Sequence, residues 1–150
     1  TVATSLYSTN STGSTDVADG ANLAFANVSA IGTGLTYDAA TNTVQVLEDG
    51  VYLINWNVNT APIDETTTTT VLTAENTETG TVYGIVGNSS ASNTNPVLLS
   101  GSTVANLSAG DVIAIVNRSG TAIDLTTSVG SGTESFAGSL TVAKIGEATA

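Results

Sequence analysis

From Gly50 to Asn59 the chain alternates without a slip. Tyr52, Ile54, Trp56 and Val58 fall on one side, and Asn55, Asn57 and Asn59 on the other. A period of two over this length predicts a half-buried β-strand and fits no helix. It carries the chain's single tryptophan, which places it at the centre of a sheet. The short acidic turn Glu48-Asp49-Gly50 delivers the chain into it.

The same pattern, weaker, recurs on both sides. Val2 to Tyr7 predicts a first short strand, followed by a Ser/Thr/Asn/Gly loop through Gly20; Leu23 to Val28 predicts a second. Leu35–Tyr37 and Thr43–Val46 flank a five-residue loop, and Thr70–Glu75 and Thr81–Val86 flank Asn76–Gly80, two hairpin signatures. The threonine run Thr66–Thr70 reads as a strand entry rather than a disordered tract, because Val71-Leu72 follows it directly. Asn88–Asn95 reads as a polar loop closed by Pro96, and Val97–Leu107 as a strand bent at Gly101. Val112–Val116 is apolar on both faces, so each face needs a cover: a second sheet for one, a neighbouring subunit for the other. Ala122–Thr127 and Phe136–Ile145 complete the set. About ten short strands with turn signals every eight to fifteen residues predict an all-β antiparallel sandwich. Its 150 residues form one domain, with residues 1–22 expected to be partly flexible.

Composition supports that reading and removes several functions. Thr and Val favour strands, Asn, Gly and Ser favour turns, and only two prolines interrupt. Two basic residues, Arg118 and Lys144, face thirteen acidic ones, a net charge of −11. Nucleic-acid binding needs clustered Lys and Arg to release counterions, so it is excluded, and anionic membrane surfaces are disfavoured. No apolar run is long enough for a spanning helix, so no membrane insertion is expected. Starting at Thr1, the chain reads as processed or excised from something longer.

Three stretches together resemble a known family. Val46-Leu47-Glu48-Asp49-Gly50-Val51-Tyr52-Leu53-Ile54 is similar to a strand-turn-strand of the tumour-necrosis-factor and complement-head jelly roll. Leu107-Ser108-Ala109-Gly110-Asp111-Val112-Ile113 resembles that fold's Leu-x-x-Gly-Asp strand entry, and Phe136–Ile145 its closing strand. The cysteine-free, Ala/Thr/Asn-rich style, with Leu6-Tyr7 and Asn22-Leu23-Ala24-Phe25, is most similar to the C-terminal heads of BclA-like collagen-like glycoproteins of bacterial spore surfaces. Leu47 departs from a proline common in the superfamily, and the acidic, threonine-rich Asp64–Thr70 has no counterpart. No Gly-X-Y repeat lies in this chain. The resemblance implies a TNF-like jelly roll that forms homotrimers, with the central and closing strands near the threefold axis. Candidate interface residues are then Asn55, Asn57, Asn59, Ile113, Ile115, Thr141 and Ala143. The three asparagines either hydrogen-bond across the interface or face water. A trimer also triples the −11, which opposes assembly unless the acids lie outside the interface.

Candidate chemistry is sparse. Without His or Cys there is no Ser-His-Asp triad, no Cys-His pair and no common zinc site. A Ser-Lys dyad or an isopeptide crosslink would need Lys144, which strand-end position predicts to be solvated. The carboxylate pairs Glu48/Asp49, Asp64/Glu65 and Glu75/Glu78 fall in predicted turns, where water keeps both members ionised. Calcium is the one plausible metal because its ligands are oxygens; Asp64 and Glu65 are the candidates, and no Asp-x-Asp-x-Asp-Gly loop supports them. Otherwise no cofactor is expected. Five Asn-x-Ser/Thr sequons, at Asn10, Asn27, Asn88, Asn106 and Asn117, are no more than a chain this rich in Ser and Thr supplies by accident. The expectation is a non-enzymatic, extracellular trimeric head that caps a stalk on a bacterial spore or cell surface. The alternative is an adhesin or phage-fibre tip that recognises a glycan or a surface protein through loops 8–22, 60–69 and 88–95.

Overall fold

The computed structural model describes residues 4–61, 68–90, 96–127 and 135–148, with the side chains of 68 and 88–90 excepted. Twelve strands and no helix occur among them: β1 (Ser5–Asn10), β2 (Ser14–Val17), β3 (Asn27–Ile31), β4 (Leu35–Asp38), β5 (Thr43–Val46), β6 (Gly50–Thr60), β7 (Thr68–Asn76), β8 (Val82–Ser90), β9 (Val97–Leu107), β10 (Val112–Asn117), β11 (Ile123–Leu125) and β12 (Gly138–Gly146). They form two antiparallel sheets. One runs β2-β11-β6-β12-β1-β3, with β9 on the other side of β6; the second runs β4-β5-β10-β7-β8.

The predicted central strand is central. All of β6 pairs with β9, and Val51–Val58 pairs with β12. Its inward residues Tyr52, Ile54, Trp56 and Val58 are fully buried. They meet Leu6, Leu140 and Val142 of their own sheet and Val44, Leu72, Ala74, Ile113 and Ile115 of the other in one continuous core. Burying these side chains against a second sheet is what holds the sandwich together.

Three sequence expectations change. Gly101 neither bends nor bulges β9, which pairs with β6 in unbroken register through it. The glycine is there because Trp56 lies on it: a Cβ would sit 2.1 Å from the indole Cζ2. The second predicted strand moves on, to Asn27–Ile31. Leu23 and Phe25 are buried from an irregular segment that instead borders β10, with Leu23 N donating to Ile115 O and Asn117 N to Ala21 O. The segment read as a loop up to Gly20 carries the short β2, and β1 extends to Asn10.

The fourth change concerns β10. Ile113 and Ile115 face the chain's own core and are fully buried there, so they are not available to a neighbouring subunit. The opposite face, Ala114 and Val116, is also buried within the chain. Ala114 stands opposite Glu75 and Val116 opposite Thr73. Arg118 folds back along this face to grip Glu75 with two hydrogen bonds of 2.7 Å. A long side chain does the covering that the sequence assigned to a subunit.

Candidate assembly surface

The strand register defines what the larger sheet shows to the outside. Across β3, β1, β12, β6 and β9, one row reads Asn27, Thr9, Ser139, Asn57, Ser100 and the next Ser29, Tyr7, Thr141, Asn55, Ser102. A third reads Ile31, Ser5, Ala143, Leu53, Val104. None of these fifteen residues is charged. In a chain with thirteen acids, that is the property that sets this face apart. It is also partly apolar: Ile31 is 61% exposed and Val104 58%, with Leu98 and Ile145 exposed beyond the rows.

Five of the sequence candidates lie here together. Asn55, Asn57 and Asn59 come from alternate positions of β6, and Thr141 and Ala143 from β12 directly beside them. The amides are already organised: Ser100 Oγ donates to Asn57 Oδ1 at 2.5 Å, Asn57 Nδ2 to Asn55 Oδ1 at 3.3 Å, and Asn59 Nδ2 to Phe136 O at 3.0 Å. Hydrogen bonds within the chain fix these side chains before any partner arrives, which lowers the entropic cost of association. Sequence reasoning missed Tyr7, Ile31 and Val104, because only the pairing of β1, β3 and β9 onto one sheet brings them to this face.

The two cations differ in exposure: the Arg118 side chain is 47% exposed, that of Lys144 only 7%. Lys144 is opposite Tyr52, on the inner side of β12, and its stem lies where a Cβ on Gly50 would be, 2.6 Å from Lys144 Cε. Its ammonium donates to Glu48 from the turn before β6 and to Glu147 at 3.4 Å. The Glu48 hydrogen bond, then Glu147, raises the Lys144 pKa against the effect of burial. A protonated ammonium is neither a general base nor a nucleophile, and its partners are carboxylates rather than an amide, so the dyad and crosslink find no support here. The raised pKa makes Lys144 stabilising below the ordinary lysine range, with the contribution fading as pH climbs through the folded-state value. Urea melts of wild type and Lys144→Met should therefore differ near pH 8 and converge at strongly alkaline pH; a constant gap would contradict the ion pair.

The carboxylate pairs separate in the same way. Glu48 is tied to Lys144, while Asp49 Oδ1 accepts Ala109 N at 2.8 Å and helps close the turn into β10. Glu75 is not a turn residue but a buried one in β7, bound to Arg118 and to the Thr73 hydroxyl. Asp64 and Glu65 lie outside the described residues, and no group of three or more potential metal ligands occurs among the described ones. Two sequons are structural hubs. Asn10 is buried, donates to Ser14 Oγ and Ala24 O, and accepts Gly13 N at 2.9 Å. Asn117 is fully buried between Val17 O and Thr121 O.

With this geometry, solved structures of the same architecture can be compared. Eiger, a tumour-necrosis-factor protein of S. frugiperda, is 18% identical and superimposes with a TM-score of 0.74 over 100% of this chain and 97% of its own. Murine APRIL gives 18% identity and 0.66 over 95% and 99%, and the globular domain of zebrafish complement 1qA 12% and 0.66 over 98% and 99%. The fold is the tumour-necrosis-factor and complement-head jelly roll. No family model and no curated protein matches the chain. At these identities the likeness establishes the jelly roll and carries over no activity. No helix among the described residues is long and apolar enough to cross a membrane.

Proposed function

We propose that this jelly roll is a non-enzymatic, extracellular head that assembles as a homotrimer through the outer face of β3-β1-β12-β6-β9. The uncharged character of that face, in a chain of net charge −11, is the observation that carries the reading. Close approach of three such chains is tolerable only where the acids are absent, and here they are absent over five strands. Exposed Val82 and Ile85 on β8 give a second apolar patch outside this face, so a face-to-edge contact can repeat around a closed ring. Trimeric assembly is also what likeness to the tumour-necrosis-factor and complement heads suggests.

The role we assign is to trimerise and cap a stalk, collagen-like by the sequence resemblance, on a bacterial spore or cell surface, with no cofactor. Both described ends support attachment at one pole, since Ser5 pairs with Ala143 while Asn10 pairs with Gly138. Light scattering on a sizing column should give a mass about three times 14.9 kDa, unchanged by a calcium chelator. Thr141→Arg, in the middle of the face, should give a folded monomer. A monomeric wild type would overturn the assembly, and dissociation by chelator would return calcium to the account.

A further inference from the structure

At the pole opposite the described ends, the β1–β2 turn and the segment before β3 enclose a cavity of about 260 Å³. Thr9, Asn10, Ser11, Thr12, Ser14 and Asn27 supply its polar wall, and Ala24 and Ala26 supply methyl groups. Past Thr9 and Asn27, which line both, it continues into a shallower groove of about 320 Å³ bordered by Tyr7 and Phe136. Tyr7 is 45% exposed and Phe136 53%.

We propose that this cavity binds one uncharged sugar residue, and that the groove takes the next residue of a glycan against Tyr7 and Phe136. Three observations converge on that class. First, among the described residues neither cavity is lined by a charged side chain, and the chain as a whole carries a net charge of −11. Sialic acids, uronic acids and phosphates would find no counter-charge and some repulsion. Second, the wall offers hydroxyls and amides interleaved with methyls, the complement of a pyranose with its equatorial hydroxyls and axial C–H faces. Two exposed aromatic rings beside such a wall supply flat apolar area against which a sugar C–H face packs.

Third, the wall is rigid before any ligand arrives. The Asn10 amide, buried at the base, uses both N–H groups and accepts from the Thr12 and Gly13 amides, at 3.2 and 2.9 Å. Asn27 Nδ2 is fixed on Ser11 Oγ at 2.6 Å. A loop held this way presents its hydroxyls without paying further ordering entropy. The strand β1 places the cavity about 17 Å from the pole where the described ends meet, so a head tethered at that pole would present the site outward. The site does not depend on stalk capping, but Tyr7, Thr9 and Asn27 also stand on the face proposed for assembly. Sugar binding is therefore read on the monomeric Thr141→Arg variant as well as on wild type, which keeps the failure of either proposal distinguishable from the other.

The test is NMR titration of the full chain with the methyl glycosides of glucose, galactose, mannose, fucose and N-acetylglucosamine, with sialic acid and glucuronate alongside. For a ligand this small, affinity of about millimolar is expected, with saturable shifts at Thr9, Thr12, Ser14 and Asn27 for at least one neutral glycoside. Thr12→Trp, which fills an exposed part of the cavity, should weaken that binding by about tenfold or more; Phe136→Ala should spare the monosaccharide and weaken a disaccharide by about fivefold. If the tryptophan disturbs the turn, Asn27→Trp closes the cavity from the other side. No saturable binding by any neutral glycoside, preference for the acidic sugars, or binding that survives both tryptophans would overturn the proposal.

Discussion

Gly101→Ala will destabilise this domain by about 3 kcal/mol, the upper end of what one extra methyl does in a packed core. The reason is the row Ser8, Leu140, Trp56, Gly101, which crosses the inner side of the larger sheet. The indole of Trp56 lies flat over Gly101, and a Cβ there would stand 2.1 and 2.3 Å from two ring atoms. Flexible neighbours cannot absorb the overlap, because the far edge of the ring is held at Gly84, whose own Cβ would come within 3.0 Å of Trp56 Cη2. Trp56→Leu alone should cost about 3–4 kcal/mol through the cavity it leaves. The double variant Trp56→Leu/Gly101→Ala should be markedly more stable than the sum of the two, since each substitution makes room for the other. Equilibrium urea unfolding of the four proteins measures this directly. Strict additivity would mean that the ring moves aside, and the account of Gly101 as a seat for Trp56 would fail.

That pair also shows what was legible in the sequence. The alternation of β6 is enough to identify Trp56 as central and inward, because a period of two is a local property. What Trp56 rests on is forty-five positions away in sequence and on another strand, so Gly101 read only as a bend. The jelly roll was legible because its turns and strand entries are local motifs. The candidate interface was half legible: Asn55, Asn57, Asn59, Thr141 and Ala143 share a face, while Ile113 and Ile115 turn inward. A strand apolar on both sides does need two covers, but sequence cannot say whether the second is a subunit or a folded-back arginine. The polar loop 8–22 was singled out as a recognition loop for its composition, and it does build the cavity at one pole. The contributions of Tyr7 and Phe136 to the adjoining groove were not visible, being fixed by pairing and by a turn outside the strands.

The folded-back arginine carries the second large effect. Arg118→Met should cost about 2 kcal/mol at pH 7, because it strands the buried Glu75 carboxylate while a hydrophobic stem still covers Ala114 and Val116. Removing one partner of a fully buried pair costs more, about 3–5 kcal/mol; here the Arg118 side chain is 47% exposed, and water screens part of the loss. The pH dependence follows from the direction of the shift. The Arg118 hydrogen bonds, opposed by burial and helped by Thr73, hold the Glu75 carboxyl below its ordinary range. A depressed folded-state pKa gives stability that is complete above the unfolded value and is lost as pH falls through the folded one. Wild type should therefore lose stability on acidification, and the gap to Arg118→Met should close as Glu75 protonates in both. Glu75→Leu/Arg118→Met, which replaces the pair with apolar side chains, should recover most or all of the loss at pH 7. Denaturant melts at pH 7 and pH 3.5 decide it, with a pH-independent gap as the contrary result. The same variants separate the outer face of the larger sheet from the outer face of β10. The pair covers the outer face of β10, so removing it should leave the oligomer mass unchanged, whereas Thr141→Arg on the opposite sheet should abolish assembly. Loss of the oligomer in Glu75→Leu/Arg118→Met would mean that the outer face of β10 meets a neighbour after all.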